Sequence, residues 1–303
     1  MQKNFSYPTR ASSRVSDKEA ALHGPGLYGH LIPVSKRTIT FFKEALQEDI
    51  GNGDITSNLL IPPHAKGTAR VIAKEKGIFC GERLVMELFR IADPKVKLEF
   101  RVRNGQKLRR NQTVFRMRGN IRSILKVERT MVNFIGHLSG IATKTRQFVN
   151  KVNKYPVLIL DTRKTTPLWR ELEKVAVQVG GGYNHRQGLD EFIFIKENHR
   201  VHGELSKLKR HPGQFEIEVR SLGELWEAIQ LKAKVILLDN FTPKEAQRAV
   251  AIVRKEAPGI ILEASGGITL ENVRKFAAAG VDTISVGSLT HSVKAVDFSL
   301  LID

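Results

Sequence analysis

The feature that most constrains this chain is a rhythm that recurs from about residue 157 onward. A short apolar run ends in a polar tip, and a helix signal follows. Val157-Leu158-Ile159-Leu160 ends in Asp161-Thr162-Arg163-Lys164, and Phe192-Ile193-Phe194-Ile195 ends in Lys196-Glu197-Asn198-His199. Phe215-Glu216-Ile217-Glu218-Val219 ends in Arg220-Ser221, and Val235-Ile236-Leu237-Leu238 in Asp239-Asn240. Ile260-Ile261-Leu262 runs into Glu263-Ala264-Ser265-Gly266-Gly267, and Thr283-Ile284-Ser285-Val286 into Gly287-Ser288. Ser221 with Glu224, and Thr242 with Glu245, spell capping boxes, with Pro243 at the first helical position. Thr269 is placed to cap the next helix and Gly280 to end it. Continuous apolar strands alternating with helices imply a parallel sheet buried on both faces. With a long helix over about 121–150 leading in, the pattern predicts an α/β fold, an incomplete (β/α) barrel. A doubly wound open sheet is its rival.

The preceding region has a different texture. Residues 38–48 read as a helix with Phe42, Ala45 and Leu46 on one face. A glycine-punctuated loop, Asp49 to Asp54, follows. Residues 67–73, 97–103 and 112–118 alternate apolar and polar side chains as half-buried strands do, residues 82–91 are helical, and Asn104-Gly105 marks a turn. This is an N-terminal α+β module, an open-faced sandwich. Residues 1–36 are polar and broken by Ser12-Ser13, Gly24-Pro25-Gly26 and Pro33, as a loosely ordered tail would be. The expected division is 1–36, 37–131 and 132–303, with the C-terminal end able to pack on the N-terminal domain.

Composition enters through charge. A net charge of +18 attracts anions of every kind, so the position of the charges decides the partner. In parallel α/β folds function gathers at the C-terminal strand ends. Here those ends carry Arg163, Lys164, Lys196, Glu218, Asp239, Ser265 and Gly287. Gly180-Gly181-Gly182, after a helix that begins near Pro167, brings His185 and Arg186 toward the same rim. Arginine forks suit carboxylates, and lysine supplies a compact charge. The two glycine tips, Ser265-Gly266-Gly267 and Gly287-Ser288, let backbone N–H groups approach a phosphate. Glu218 and Asp239 would repel such a ligand unless they accept sugar hydroxyls, hold Mg²⁺ through water, or pair with neighbouring bases. Spacing alone does not choose between Glu216 and Glu218. His64, His202 and His211 fall in polar loops and are expected to be solvated.

Other classes are disfavoured. Cys80 is the only cysteine, which rules out an intrachain disulfide and reads as a buried small side chain. No apolar run approaches the ~18–20 residues needed to span a bilayer. The first residues lack the apolar stretch of a secretory signal, so a cytoplasmic setting is expected. A nucleic-acid binder would interleave bases with aromatics, yet aromatic residues are only 7%. Neither nucleic acid nor membrane is expected as a partner. An aldolase-type barrel with Lys164 or Lys196 as a Schiff base would need a buried lysine.

Over about residues 38–300 the sequence resembles the quinolinate phosphoribosyltransferases. The resemblance is carried by Glu48-Asp49-Ile50-Gly51, Gly53-Asp54-Ile55-Thr56-Ser57, Glu128-Arg129-Thr130 and Asn133-Phe134. It continues in Asp161-Thr162-Arg163-Lys164-Thr165-Thr166-Pro167, Asn184-His185-Arg186, Lys196-Glu197-Asn198-His199, Glu216-Ile217-Glu218-Val219, Leu238-Asp239-Asn240 and Ser265-Gly266-Gly267-Ile268. Two departures stand out: Gly267 replaces the asparagine common in that glycine loop, and the basic tail is long. The resemblance implies a pentosyltransferase that uses Mg²⁺ to join quinolinate and phosphoribosyl pyrophosphate. The products are nicotinate mononucleotide, pyrophosphate and CO₂, a step of NAD synthesis. It implies Arg163, His185, Arg186 and Lys196 on the substrate carboxylates, with Arg129 supplied by the neighbouring subunit of a homodimer or larger homo-oligomer. Lys164 would face phosphate, and Ser265, Gly266, Gly267, Val286, Gly287 and Ser288 would hold the 5′-phosphate, with Thr162 beside the substrate. Glu218 and Asp239 would take ribose and metal, and with Lys164 and Lys196 carry catalysis. A relative on the same fold that uses nicotinate is the closest alternative.

Overall fold

The computed structural model describes residues 35–303. The tail expected over residues 1–36 lies outside them, apart from Ser35 and Lys36. Ser35 is the cap of helix α1 (Lys36–Ile50), its hydroxyl accepting the Thr38 N–H at 3.1 Å. Phe42 and Leu46 are buried, as their spacing predicts. Asp54 caps α2 (Ile55–Leu60) by accepting the Ser57 N–H at 2.9 Å. Then come β1 (Lys66–Ala73), β2 (Gly77–Ile78), α3 (Glu82–Ala92), β3 (Lys97–Phe100), β4 (Lys107–Leu108), β5 (Gln112–Asn120) and the long α4 (Ile121–Val152).

The C-terminal strand Phe298–Ile302 joins β1, β5 and β3, in that order, in a four-stranded antiparallel sheet. Along β1, Ala69, Val71 and Ala73 are buried while Arg70 and Ile72 are partly exposed. One face therefore makes core and the other stays open, the predicted open-faced arrangement. Asn104 begins its turn with the side chain buried, accepting the N–H groups of Gly81 and Glu82 at 2.8 and 3.1 Å. The short pair β2 and β4 and the C-terminal strand had no alternation long enough to predict. Burial pushes the Cys80 thiol up to about 12, which leaves it an inert core side chain.

The described chain divides into two compact units, one containing Gln147–Thr165 and Gly182–His291, the other residues 35–146, Thr166–Gly181 and Ser292–Asp303. A boundary at 131/132 falls inside the unbroken helix α4. The first of these units holds β6 (Leu158–Leu160) and, beyond the helix α5 (Arg170–Val179) of the other unit, the remaining alternation. That alternation runs β7 (Ile193–Ile195), α6 (Glu197–His202), β8 (Phe215–Val219), α7 (Leu222–Gln230), β9 (Val235–Asp239), α8 (Pro243–Glu256), β10 (Ile261–Ser265), α9 (Val273–Ala279), β11 (Thr283–Ser285) and α10 (Ser288–His291).

All six strands are parallel, in the order β6-β11-β10-β9-β8-β7. The first strand in the chain lies beside the last, as in a ring and unlike a doubly wound sheet. Leu160 bridges Tyr183 in parallel, adding a further stave. Among the described residues no ladder joins that stave to β7, so the barrel is incomplete. Leu158, Leu160, Val235 and Ile261, with Tyr183 and Phe192 against them, form an apolar cluster of this core. Each such side chain contributes roughly 1.5–3 kcal/mol when fully buried.

Two of the expected caps differ from the pattern. Thr242 and Glu245 form the complete capping box. Ser221 accepts the Glu224 N–H at 3.2 Å, but Glu224 turns to the Arg220 N–H, so that box is half made. Thr269 does not cap α9 with its side chain. Asn272 occupies the cap position, and its Oδ1 accepts the Thr269 N–H at 2.8 Å. Gly280 ends α9 at φ 92°, as predicted. Among the described residues no helix is long and apolar enough to cross a membrane.

Candidate active site

A cavity of about 330 Å³ opens at the C-terminal ends of the barrel strands. That is the low end of small-molecule sites. Its wall is built tip by tip. After β6, Asp161 is fully buried and accepts the His185 N–H at 2.9 Å, which ties the β6 tip to the Tyr183 stave. Thr162 accepts the Lys164 N–H at 3.1 Å, closing the turn that presents Arg163 and Lys164 to the cavity. The Lys164 carbonyl accepts the Thr290 hydroxyl at 2.6 Å, so the far end of the turn is pinned as well.

Arg186 is 5% exposed and stacked on Phe194, its guanidinium carbon 4.9 Å from the ring centre. It donates to the Phe192 carbonyl at 3.1 Å, while its buried Nε has no hydrogen-bond partner. Burial, and then the charge of nearby Arg163, pull its pKa below the usual guanidinium range. Two guanidiniums held this close are poised for an anion with more than one negative group. Lys196 adds a third cation, its Nζ 4.9 Å above the Phe194 ring. Lys164 and Lys196 are both exposed, which is not the buried setting of a Schiff-base lysine.

Glu218 and Asp239 border the cavity on the next two strands. Burial raises the Glu218 pKa first, and the negative charge of Asp239 raises it further. Two carboxylates held within mutual repulsion form a hard oxygen donor pair that suits Mg²⁺. Pairing with a neighbouring base is also present: Arg220 Nε lies 3.4 Å from Asp239, and its Nη2 3.8 Å from Glu218. The last two tips supply Ser265, Gly266, Gly267, Gly287 and Ser288. Gly266 sits at φ 87°, and a Cβ there would strike Asn240 Oδ1 at 2.2 Å, so only glycine lets this turn close. Gly267, at φ 60°, faces open space. An asparagine would fit there, which explains why the departure from the family's loop does not disturb it.

Beneath this rim lies a second layer that sequence reasoning largely missed. Strand periodicity puts Glu216 below Glu218, Leu237 below Asp239 and Glu263 below Ser265. Glu216, Glu263 and His185 are all buried, their nearest ligand atoms within 4.8 Å of one another. His185 Nδ1 accepts the Arg186 N–H at 2.8 Å, so its hydrogen-bond partners assign the ring proton to Nε2. Nε2 lies 3.1 Å from Glu216 and 3.8 Å from Glu263. Both ring nitrogens are thus turned toward the protein, and His185 frames the cavity floor instead of offering a free donor. Glu216 stands apart from the cavity and Glu218 borders it, which separates two carboxylates that spacing could not.

Val286, expected at the phosphate, is not among the lining residues, and Arg129 was expected only from a neighbouring subunit. Val286 is buried in the barrel wall and its N–H donates to the Leu160 carbonyl at 2.9 Å, because strand alternation turns Ser285 inward and Val286 outward. Arg129 stands exposed on α4, in the other compact unit, and is not a lining residue of this cavity. His64 and His202 are exposed, whereas His211 is half-buried.

Known proteins match this chain over most of its length. The family described as quinolinate phosphoribosyl transferase, C-terminal domain, matches residues 141–301, and the N-terminal domain of the same family matches residues 54–139. A "Probable nicotinate-nucleotide pyrophosphorylase [carboxylating]" of Methanocaldococcus jannaschii is 41% identical over 276 residues, covering 86% of this chain and 96% of its own. The protein of that name from Bacillus subtilis is 39% identical over 261 residues, covering 84% and 89%. The solved structure of the nicotinate-nucleotide pyrophosphorylase from Francisella tularensis overlays with a TM-score of 0.82 at 39% identity, covering 90% of this chain and 99% of that one. With both domains matched in order and the cationic rim in place, the chain belongs to the quinolinate phosphoribosyltransferase family.

Proposed function

We propose that this chain transfers the phosphoribosyl group of phosphoribosyl pyrophosphate to quinolinate, with loss of one carboxylate as CO₂, giving nicotinate mononucleotide and pyrophosphate for NAD synthesis. The observation that carries the reading is the crowding of Arg163 and Arg186, with Lys196 beside them, around one small cavity. A dicarboxylate relieves that crowding, and a monocarboxylate such as nicotinate relieves less of it. Each charge-assisted hydrogen bond is worth about 1.5–3 kcal/mol, so a few of them support micromolar binding after association entropy.

In this reading the cavity has three zones. Arg163, Arg186 and Lys196 take the two carboxylates, and His185 sets the Arg186 backbone. Ser265, Gly266, Gly267, Gly287 and Ser288 receive the 5′-phosphate, with Lys164 facing the leaving pyrophosphate. Glu218 and Asp239 accept the ribose hydroxyls and stabilise positive charge that develops on the sugar as the pyridine nitrogen displaces pyrophosphate. Mg²⁺ held by Glu218 and Asp239, through water, would neutralise charge on the pyrophosphate. The pyridinium formed withdraws electrons, and the adjacent carboxylate then leaves as CO₂. Val286 acts here only by holding the glycine tip in place. Arg129 completes the carboxylate zone from a second copy in a homodimer, supported by its exposure on α4. A cytoplasmic setting belongs to the same reading and is supported by the single buried, inert cysteine.

The direct test supplies the purified chain with quinolinate and phosphoribosyl pyrophosphate, with Mg²⁺ or with a chelator. Equal amounts of CO₂ and pyrophosphate are expected with Mg²⁺, and neither with the chelator. Equal turnover of nicotinate would move the chain to the alternative base.

A further inference from the structure

The floor of the cavity holds an acid that charge recognition leaves unused. Glu263 sits on β10 two residues before Ser265, facing the same way one layer deeper. It is fully buried and still borders the cavity. Thr283 donates its hydroxyl at 3.4 Å, and His185 Nε2 lies 3.8 Å away. The other oxygen, Oε1, is the one that faces this Nε2; it is buried with no other group at hydrogen-bond distance, although the Ser285 hydroxyl also acts on the carboxyl. Among the described residues no lysine or arginine makes an ion pair with it. An ionised carboxylate there would face an anionic substrate with no cation to offset it. Burial pushes its pKa up to about 8, so the group resolves that conflict by keeping its proton at neutral pH.

The chemistry proposed above needs a proton at this depth. The rim cations draw the charged groups of the substrate, which leaves the ring over the floor. When CO₂ departs, the C–C bond breaks and its electron pair stays on the ring carbon beside the cationic nitrogen. That carbon is a far stronger base than a carboxylate. We propose that Glu263 is the general acid that protonates the ring carbon vacated by CO₂. The carboxyl O–H breaks, a ring C–H forms, and Glu263 is left as carboxylate. Water entering the cavity after product release returns the proton. The rim lysines are poorer donors, because giving up a proton would cost them their pairing with the bound anions. Glu216 differs in that it stands outside the cavity lining, with His185 Nε2 directed at it.

This assignment rests on the proposed reaction, and the test separates the two. Glu263→Gln keeps the volume and the neutral state and removes only the transferable proton. In a single turnover with quinolinate labelled in the carboxylate next to nitrogen, wild-type enzyme should release CO₂ and pyrophosphate together. The variant should release pyrophosphate within about fivefold of the wild-type rate, while CO₂ falls by at least about 100-fold. A nucleotide retaining both carboxylates should accumulate. CO₂ release at the wild-type rate, or equal losses of CO₂ and pyrophosphate, overturns the assignment. If wild-type enzyme releases neither product, the proposed function fails instead. Should Glu263→Gln not fold, Glu263→Asp, which keeps the acid but withdraws it by one methylene, should show the same uncoupling in weaker form. A parallel loss of both products in Glu263→Asp counts against the proposal.

Discussion

The rim and the floor of the barrel are built from the same strands, two residues apart, and obey opposite electrostatic rules. At the rim, Lys164 and Lys196 are exposed and Glu218 shares its setting with Asp239, Lys196 and Arg220, so charge is held by other charge. On the floor, Glu263 is buried beside hydroxyls and a histidine, and the cheaper course is to stay neutral. The lesson is that one step of strand period, about 6.6 Å of chain, separates groups that bind charge from a group that stores a proton.

The largest effect should come from the floor. Glu263 has a folded pKa of about 8 against an ordinary value of 4.5. Its stabilising contribution is therefore complete below pH 4.5 and is lost as pH rises toward 8, because the unfolded chain gives up a proton that the native state keeps. Glu263→Gln has no such proton. Its stability relative to wild type should climb by up to about 1.4 kcal/mol per pH unit across that window and level off outside it. Urea denaturation at several pH values measures this. A flat difference would mean that Glu263 is ionised in the native state, and the contrast with the rim would collapse.

Next comes the rim. Arg163→Ala should weaken quinolinate binding by roughly 100-fold, about 3 kcal/mol, and leave phosphoribosyl pyrophosphate binding within a few-fold. Titration of each ligand alone checks it. Equal losses for both would merge the carboxylate and phosphate zones into a single undifferentiated cationic rim. The smallest effect is expected at Gly267, which faces open space at φ 60°. Gly267→Asn should change stability by less than about 0.5 kcal/mol and turnover by less than about twofold, because asparagine tolerates that backbone. A large loss would mean that the glycine turn is tighter than its surroundings indicate.

Much of this was legible without coordinates. Apolar runs ending in Arg163, Lys196, Asp239 and Ser265 are local patterns, and local patterns determine which residues sit at strand ends. Helix starts were readable where a side chain must answer its own backbone, as at Thr242 and Glu245. The readings that failed were of two kinds, one local and one non-local. The cap position of α9 fell at Asn272, three residues after Thr269, and the C-terminal strand at Phe298 has meaning only through its pairing with β1. The long helix expected over about 121–150 is present as α4, and the proposed division at 131/132 falls within it.

The sequence by itself determined the strand–helix alternation, the cationic and glycine tips and the family to which they belong, because each is written within a few consecutive residues. The tertiary structure alone decided which tips share one cavity and that Val286 faces the wall. It also decided that both nitrogens of His185 are committed to the protein and that Glu263 lies buried under the rim, where desolvation raises its pKa. Those outcomes depend on burial and on partners distant in sequence: Asp161 with His185, Glu216 with His185, Thr283 with Glu263. A residue's charge state and free donors are set by what surrounds it in space, and the order of the chain does not contain that until the barrel has formed.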